Sequence, residues 1–165
     1  LQTHTCLRFC TIFANFSYSS SFTVYEWSSS GKDPSFTSLT YCLMPLTATL
    51  GLEVLTGSPE RVVARAAWAP ERCTTGGVLH GGYLMALADS VGAACAGFSL
   101  PPGAGMTTIE AKTNFFRGVK QGVIEIVSTP VHIGRTTIVV QTDISDDSGR
   151  LVSRTIQTQA VMISK

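Results

Sequence analysis

The segment from Gly76 to Asp89 constrains the fold of this chain more than any other part of the sequence. It runs Gly-Gly-Val-Leu-His-Gly-Gly-Tyr-Leu-Met-Ala-Leu-Ala-Asp, a glycine-rich turn followed by a helix-forming stretch. We expect the helix to begin near His80 and to end near Gly97 or Phe98, because Pro101–Gly103 forces a loop. The segments that follow have the pattern of strands, which predicts a sheet that holds this helix.

The predicted helix has two different faces at about 100° of rotation per residue. The first is an apolar stripe typical of packing against a core, formed by Leu84, Leu87, Ala88, Val91, Cys95 and Phe98. The second carries Asp89 and is otherwise made mostly of small residues, namely Gly82, Met85, Gly92, Ala93 and Ala96. Such a face can accept a partner helix or a ligand. Asp89 either points to water or serves a function, because burying an ionised carboxylate without a partner costs free energy.

Two groups on this helix could act on a substrate, and they lie far apart. The Gly81 N–H is in the first turn, where amides lack acceptors and the helix dipole is positive, so it can stabilise developing negative charge. Asp89 follows eight residues later, and that spacing is roughly 12 Å along a helix axis. One chain therefore cannot bring both groups to the same bond. If both act together, the second must come from another copy, which predicts a homodimer.

Composition and charge favour a single globular domain. The chain has 165 residues, 44% of them hydrophobic, and a formal net charge of +1 with no basic run. Nucleic acid and anionic membranes are therefore not expected as partners, and no apolar run reaches the roughly 18 residues that span a bilayer. The five cysteines are odd in number and lack paired ligand spacing, so we expect reduced thiols, no metal site and a cytoplasmic location.

Residues 1–43 differ from the remainder in composition. They contain serine and threonine clusters and few charged residues, which are Arg8, Glu26, Lys32 and Asp33. The segment lacks a charged region followed by a clean apolar run, so a signal peptide is not predicted. The chain begins with Leu1, and Met44 begins the regular pattern. We therefore expect residues 1–43 to be an N-terminal extension outside the core and residues 44–165 to form the core domain.

The pattern from residue 45 onward predicts an α+β fold. A helical turn at 45–50 precedes two strands, at 51–55 and 61–68, that form a hairpin. After the long helix come four strand candidates, at about 106–116, 121–132, 135–145 and 151–163. The joints between them, at 118–122, 132–135 and 146–149, have turn chemistry. One helix against an antiparallel sheet is the expected architecture, and no dinucleotide-binding or Walker-type motif is present.

Motifs in this region occur in a combination that a known family shares. Gly77-x-Leu79-His80-Gly81-Gly82 is followed by Leu87-Ala88-Asp89, which puts an acid nine residues after the histidine. Further matches are Thr108-x-Glu110-x-Lys112-Thr113-Asn114-Phe115, Arg117, Gly134-Arg135 and Asp147-Ser148-Gly149-Arg150-Leu151-Val152. Together these motifs resemble the hotdog-fold acyl-CoA thioesterases of the phenylacetate-degradation (PaaI) type. The likeness extends from about Met44 to the C-terminus.

The resemblance implies a long central helix wrapped by a curved antiparallel β-sheet, with chains paired into dimers or dimers of dimers. It also implies hydrolysis of acyl-CoA or aryl-CoA thioesters without a metal or cofactor. Asp89 would be the nucleophile or general base. The Gly81 N–H of the partner subunit would polarise the thioester carbonyl, and His80 would orient the substrate or the glycine turn. Substrate-binding positions would be Gly82, Thr74, Thr108, Gly134 and Arg135.

Some positions depart from the family pattern or have more than one interpretation. Many relatives have Asn or Gln six residues before the histidine, where this chain has Thr74, whose shorter side chain reaches the carbonyl only through water or a shifted loop. Thr108 is near a position where some relatives use a serine to hold the catalytic water, and its hydroxyl is a reasonable substitute. Arg135 is either a solvated turn residue or a contact for the CoA phosphates.

Two other functional classes are compatible with parts of this pattern. A hotdog dehydratase would need a different arrangement of histidine and acid on its helix. A non-catalytic acyl-CoA-binding module would keep the fold but would have no need of Asp89. Cys73, just before the glycine turn, lacks a neighbouring histidine–acid pair in the sequence and is not expected to be a nucleophile.

Overall fold

The computed structural model of this chain describes residues 34–163 and contains an antiparallel sheet with one long helix. Within these residues two short helices come first, and a 3-10 turn, Pro70–Arg72, precedes the long helix. The elements in chain order are α1 (Pro34–Leu43), α2 (Leu46–Leu50), β1 (Glu53–Gly57), β2 (Val62–Ala67), α3 (Gly81–Gly97), β3 (Ala104–Phe115), β4 (Val123–Ile133), β5 (Thr137–Ser145) and β6 (Leu151–Ile163). The predicted α+β architecture is confirmed, and α3 covers the predicted helix.

The six strands form one sheet in the order β1-β2-β4-β5-β6-β3. Every neighbouring pair is antiparallel. The β1–β2, β4–β5 and β5–β6 pairs are consecutive in the chain, as the turn chemistry at their joints predicts. β1 and β3 are the two edge strands.

The connection from β3 to β4 differs from the other strand joints. These strands are not neighbours, because β3 pairs with β6 at the far edge of the sheet. The segment 116–122 is therefore a crossover, although its glycines are also typical of a hairpin. Two hydrogen bonds hold this segment to earlier parts of the chain. Val119 O accepts one from Leu79 N–H, and Gly122 O accepts one from Trp68 N–H. These contacts hold it next to the glycine turn that precedes α3.

The core lies between α3 and the strands in the middle of the sheet. The apolar stripe of α3 is buried as predicted except at Phe98, whose side chain is 38% exposed. Alternate residues of the strands face the stripe, and the buried ones include Val62, Ala64 and Ala66 of β2, Ile124 and Ile126 of β4, and Ile138, Val140 and Ile144 of β5. The alternation of residue types in the sequence of these strands thus matches the alternation of more and less buried side chains.

The inner face of the sheet is polar toward β6 and β3. A row of hydroxyl side chains crosses four adjacent strands in register, formed by Ser128, Thr142, Thr155 and Thr113. Ser128 and Thr142 lie 2.7 Å apart and Thr113 and Thr155 lie 2.8 Å apart, each pair within hydrogen-bond distance. Farther along β6, Gln157 and Gln159 are also buried. Polar side chains therefore occupy the half of the sheet that faces Asp89.

Helix α1 packs against the first strand. The Thr37 hydroxyl donates to Val54 O and accepts from Val54 N–H, both at 3.1 Å. The Phe36 ring stacks on that of Phe98, with centroids 5.9 Å apart. This helix precedes the predicted start of the core at residue 44, so part of the expected extension contacts the core. The domain boundary itself stays a prediction, and residues 1–33 lie outside the described part of the chain.

Two further expectations concern the cysteines and the membrane. Within residues 34–163, Cys73 and Cys95 are free thiols, whereas Cys42 is disulfide-bonded. The expectation of reduced thiols therefore holds for the first two and is wrong for Cys42, while Cys6 and Cys10 lie outside the described residues. No helix of the described part is long and apolar enough to cross a membrane.

The β5–β6 turn supplies a pH-dependent contribution to stability. Asp146 accepts hydrogen bonds from the Ser148 hydroxyl at 2.7 Å and from the backbone N–H groups of Ser148 and Arg150. These bonds, led by that of the Ser148 hydroxyl, hold the pKa of Asp146 below its usual value. Because the folded-state pKa is depressed, the contribution is present above the ordinary carboxyl pKa and is lost as the pH falls below it.

We expect Asp146→Ala to lower the melting temperature at neutral pH, and the difference from the unsubstituted protein to shrink below about pH 4. Melting curves across this pH range measure the effect. Asp147→Ala, at the next position of the same turn, is the matched control and should change little. A difference that stays constant down to acid pH would contradict the ionic origin of the stabilisation.

Candidate active site

A tight turn delivers the chain to the start of α3. Thr74 N–H donates to Val78 O at 2.7 Å, and Leu79 N–H donates to the crossover at 2.9 Å. Gly76 and Gly77 have φ angles of 80° and 72°, a left-handed conformation that residues with a side chain rarely adopt. The two glycines are thus required by the turn. They fix the direction in which the helix begins.

His80 is the N-cap of α3. Its backbone is extended, and its Nδ1 accepts a hydrogen bond from Gly82 N–H at 2.9 Å. Nδ1 is therefore the unprotonated nitrogen, and a neutral ring carries its proton on Nε2. The side chain satisfies one of the first amides of the helix, which have no acceptor within the helix itself. The structure therefore places His80 at the helix start as its cap, and a role in orienting the substrate or the glycine turn stays a prediction.

Gly81 is left with an unused amide at the same end. Among the described residues, no backbone or side chain accepts a hydrogen bond from Gly81 N–H. A Cβ atom at this position would lie 3.2 Å from the Phe115 ring, so the glycine allows β3 to pass close to the helix start. The amide is at the positive end of the helix dipole and is available to an acceptor.

Asp89 lies two turns farther along, where α3 meets the polar half of the sheet. Its Oδ1 accepts hydrogen bonds from the Thr108 hydroxyl at 3.1 Å and from Gln157 Nε2 at 3.2 Å. No hydrogen bond to Oδ2 occurs in the described part of the chain. The carboxylate is thus held by one oxygen and is free at the other.

A cavity of about 300 Å³ opens beside Asp89. It lies between the N-terminal half of α3 and strand β3, and it is lined by Met85, Ala86, Asp89, Thr108, Ala111, Thr113 and Thr155. The volume is at the lower end of the range for small-molecule sites in proteins. Of the helix face predicted to accept a partner helix or a ligand, Met85 and Asp89 line this cavity, whereas Gly82, Gly92, Ala93 and Ala96 do not.

The structure brings together some of the predicted site residues and not others. Thr108 contacts Asp89 directly, whereas Gly81 is separated from it by eight residues of one helix. Thr74 is exposed in the glycine turn, and Gly134 and Arg135 are in the β4–β5 turn, where Gly134 N–H donates to Thr137 O. Neither of these turns lines the cavity.

Gln157 and Gln159 are site residues that the sequence analysis missed. They occupy alternate positions on β6, and Gln157 follows Asp89 by 68 residues in the chain. A signal was present, because Ser153, Thr155, Gln157 and Gln159 repeat with the period of a strand. Such a repeat of polar residues is, however, typical of a solvated strand face.

The free cysteines are not suited to nucleophilic catalysis. The Cys73 thiol donates to Ala69 O at 3.3 Å. Burial raises the pKa of the Cys95 thiol to about 11, so thiolate is scarce at neutral pH. In the described part of the chain, no cluster of three or more His, Cys, Asp or Glu side chains could hold a metal ion. A reaction without a metal or cofactor stays a prediction.

The sequence profile described as "Thioesterase superfamily" matches residues 76–153, the range from the glycine turn into β6. The chain is similar to ComA2 of Bacillus subtilis, whose name describes it as an esterase. The two are 34% identical over 118 residues, which is 71% of this chain and 94% of that protein. A protein of Vibrio cholerae, also named as an esterase, is 36% identical over 89 residues, but only 59% of its length is covered.

A solved structure shares the arrangement of helix and strands. A variant of the phenylacetic acid degradation protein PaaI from Thermus thermophilus superposes with a TM-score of 0.65 and 26% sequence identity. The match covers 70% of this chain and 97% of that one. The likeness therefore extends over nearly the whole of the smaller protein.

The role of His80 as a helix cap can be tested separately from any role in binding. We expect His80→Ala to destabilise the protein by about 1 kcal/mol, the usual cost of losing an N-cap. His80→Asn should restore most of this loss, because the Asn side chain caps helices well. Urea denaturation of both variants measures the effect, and equal stability of the alanine variant and the unsubstituted protein would contradict it.

Proposed function

This chain belongs to the thioesterase superfamily and has the hotdog fold, and we propose that it hydrolyses acyl-CoA or aryl-CoA thioesters to the free acid and coenzyme A. The observation that carries the proposal is the Asp89 carboxylate, which is fixed through Oδ1 beside a cavity. A carboxylate held in this way can act on a bound carbonyl or on water. The two relatives that are named as esterases support hydrolysis as the reaction class.

The reaction needs a nucleophile and one site for negative charge. As general base, Asp89 takes a proton from water, and the water oxygen attacks the thioester carbonyl carbon. The tetrahedral intermediate then breaks its C–S bond, and the leaving thiolate receives the proton. As nucleophile, Asp89 itself attacks that carbon, the thiolate leaves, and water cleaves the resulting anhydride. In both routes the carbonyl oxygen becomes an oxyanion that requires hydrogen-bond donors.

We assign the oxyanion donor to the Gly81 N–H of the partner subunit in a homodimer. The amide is free in the described part of the chain and lies at the positive end of the helix dipole. Eight residues of helix separate it from Asp89 of its own chain, roughly 12 Å along the axis. A second copy can supply it if the two helices lie side by side in opposite directions.

The edge strand β3 supports this pairing. Among the described residues it bonds to β6 on one side only, and most of its residues are exposed. A long edge strand presents unpaired N–H and C=O groups along its free side. Antiparallel pairing of β3 with its own copy would join two sheets and bring the two α3 helices together. Ile109, 60% exposed at the β3 bulge, would be covered in this arrangement.

The remaining predicted substrate contacts lie near the start of α3 and in the β4–β5 turn. Thr74 and Gly82 are exposed at the start of α3, and Arg135 is exposed in the β4–β5 turn. The guanidinium of Arg135 is suited to a nucleotide phosphate. The second candidate function, a non-catalytic acyl-CoA-binding module, would use the same cavity. It would not require the hydrogen bonds that fix Asp89.

We expect Asp89→Asn to reduce kcat for acyl-CoA and aryl-CoA hydrolysis by at least about 100-fold, since it removes the base or nucleophile. Release of free thiol from a panel of CoA thioesters measures the rate. Asn keeps the size of the side chain, so fold and dimer should be unchanged. Turnover by this variant close to that of the unsubstituted protein would refute the assignment. Binding without turnover by the unsubstituted protein would favour the binding module.

The oxyanion donor can be removed without disturbing the helix. Proline is well tolerated at the first position of a helix, where its missing N–H has no partner, and the extended backbone of His80 suits a residue before proline. We expect Gly81→Pro to lower kcat by about 100- to 1,000-fold, the usual cost of one oxyanion donor. Gly81→Ala keeps the N–H and adds a similar contact with Phe115, so it is the matched control.

Mixing the two inactive variants tests the shared site. A heterodimer of Asp89→Asn and Gly81→Pro chains has one site with both defects and one site with neither. We expect a mixture of equal amounts, refolded together, to recover about a quarter of the original activity, given random pairing into two-fold symmetric dimers. If each site belonged to a single chain, the mixture would stay inactive.

A further inference from the structure

Gln157 is a buried side chain whose position is explained by Asp89. It is fully buried on the inner face of β6, with Val140 and Ala111 as its neighbours on the adjacent strands. Neither neighbour can hydrogen-bond to an amide side chain. Nε2 of Gln157 donates to Asp89 Oδ1 at 3.2 Å and approaches the Asp89 backbone oxygen at 3.4 Å. In the described part of the chain these are its hydrogen bonds.

The orientation of the amide is set by the chemistry of its partner. Rotating it by 180° would place Oε1 against the carboxylate oxygen, and two acceptors would then face each other without a proton. The observed orientation leaves Oε1 buried with no hydrogen-bond partner among the described residues. A buried acceptor without a partner costs free energy, and an apolar side chain of similar size would avoid this cost. The compensating interaction is the one with Asp89.

Gly92 makes room for this amide from the helix side. It is buried in α3, three residues after Asp89, and a Cβ atom there would lie 2.2 Å from Gln157 Oε1. Glycine inside a helix is less favourable than alanine, because it loses more backbone freedom on folding. The helix therefore contains a destabilising residue at the position where the Gln157 amide needs space.

Thr108 completes the set of donors to the same carboxylate oxygen. Gln159 Nε2 donates to the Thr108 hydroxyl at 2.9 Å. The single hydroxyl proton can then go to the charged Asp89 Oδ1, at 3.1 Å, which is a stronger acceptor than a neutral amide oxygen. Both donors to Asp89 thus meet at Oδ1, and Oδ2 receives none from the described residues.

We infer that Gln157 is a positioning residue for hydrolysis. Together with Thr108 it fixes Oδ1 of Asp89, so that Oδ2 is the oxygen that acts on substrate or water. Gly92, which has no side chain, leaves the space that the Gln157 amide occupies. The inference rests on the proposed thioesterase function and adds to it a residue on β6 and the identity of the reacting oxygen. Misplacing a reacting group by about 1 Å costs on the order of 100-fold in rate. Loss of the amide should therefore affect the chemical step more than substrate binding.

The experiment compares two variants that remove the same contact from opposite sides. Gln157→Met keeps the length of the side chain and removes the amide group, both its donor and its acceptor. Gly92→Ala leaves Gln157 in place but pushes its flexible end away from Asp89. We expect each to lower kcat for thioester hydrolysis by about tenfold or more, with KM and melting temperature close to the original. Gly97→Ala, where the added methyl group would lie 3.7 Å from the end of Met106, controls for an extra methyl group on α3.

The double variant distinguishes a shared contact from two unrelated defects. If Gly92→Ala acts by displacing Gln157, it should cost little more in the Gln157→Met background, so the two losses will not multiply. Independent effects would multiply instead and would overturn the inference. Thermal melting and gel filtration of every variant check the fold and the dimer.

The possible outcomes separate this inference from the proposed function. Thiol release by Gln157→Met within about twofold of the original rate, with Asp89→Asn inactive, would overturn the positioning role and leave the thioesterase function intact. Failure of both the Gln157 and Gly92 variants to fold would assign the amide to the core and also overturn it. No thiol release by the unsubstituted protein would overturn both proposals.

Discussion

The division of the inner sheet surface into an apolar half and a polar half determines how α3 lies on the sheet. Under the apolar stripe of the helix, β4 and β5 present mainly isoleucine and valine side chains, with Ser128 and Thr142 as buried polar exceptions. Strands β6 and β3 present amides and hydroxyls toward Asp89. Rotation of the helix by one residue, about 100°, would press the carboxylate against the isoleucines without donors. The rotation of α3, and with it the direction of Asp89, is therefore fixed by polarity as well as by packing.

This arrangement is stable only if each polar group finds a partner within the same small region. The hydroxyls pair across strands, at 2.7 Å for Ser128 with Thr142 and 2.8 Å for Thr113 with Thr155. Gln159 bonds to Thr108, which bonds to Asp89. In such a network each member is costly to leave unpaired, so the network specifies one geometry. Among the described residues of β6, Ser153 Oγ and Gln157 Oε1 are exceptions, and in Gln157 the lack of a partner accompanies the hydrogen bond that Nε2 makes to the carboxylate.

Much of the fold could be predicted from local patterns, and the failures share one cause. The glycine turn, the bounds of α3 and the alternation in β2, β4 and β5 follow from residues close in sequence. Strand β6 departs from the expected pattern. Its glutamines face inward and Ile156 lies on the other face, whereas hydrophobicity predicts the reverse. The position of β3 beside β6 depends on pairing between distant segments. Asp89 and Thr108 could be named as candidate site residues from sequence motifs, whereas Gln157 joins the candidate site only through its contact with Asp89, 68 residues away in the chain.

The spacing of the Gly81 amide and the Asp89 carboxylate on α3 also determines the symmetry of the proposed dimer. In a two-fold dimer, if Gly81 of one subunit approaches Asp89 of the other, the reverse pair forms as well. The two helices must then be antiparallel, and the axis passes near the residue midway between the two groups, which is Met85. Met85 is 39% exposed and lines the cavity. In the proposed dimer a flexible apolar side chain at that point can pack against its own copy, so the helix that carries Gly81 and Asp89 would also supply the contact that positions them.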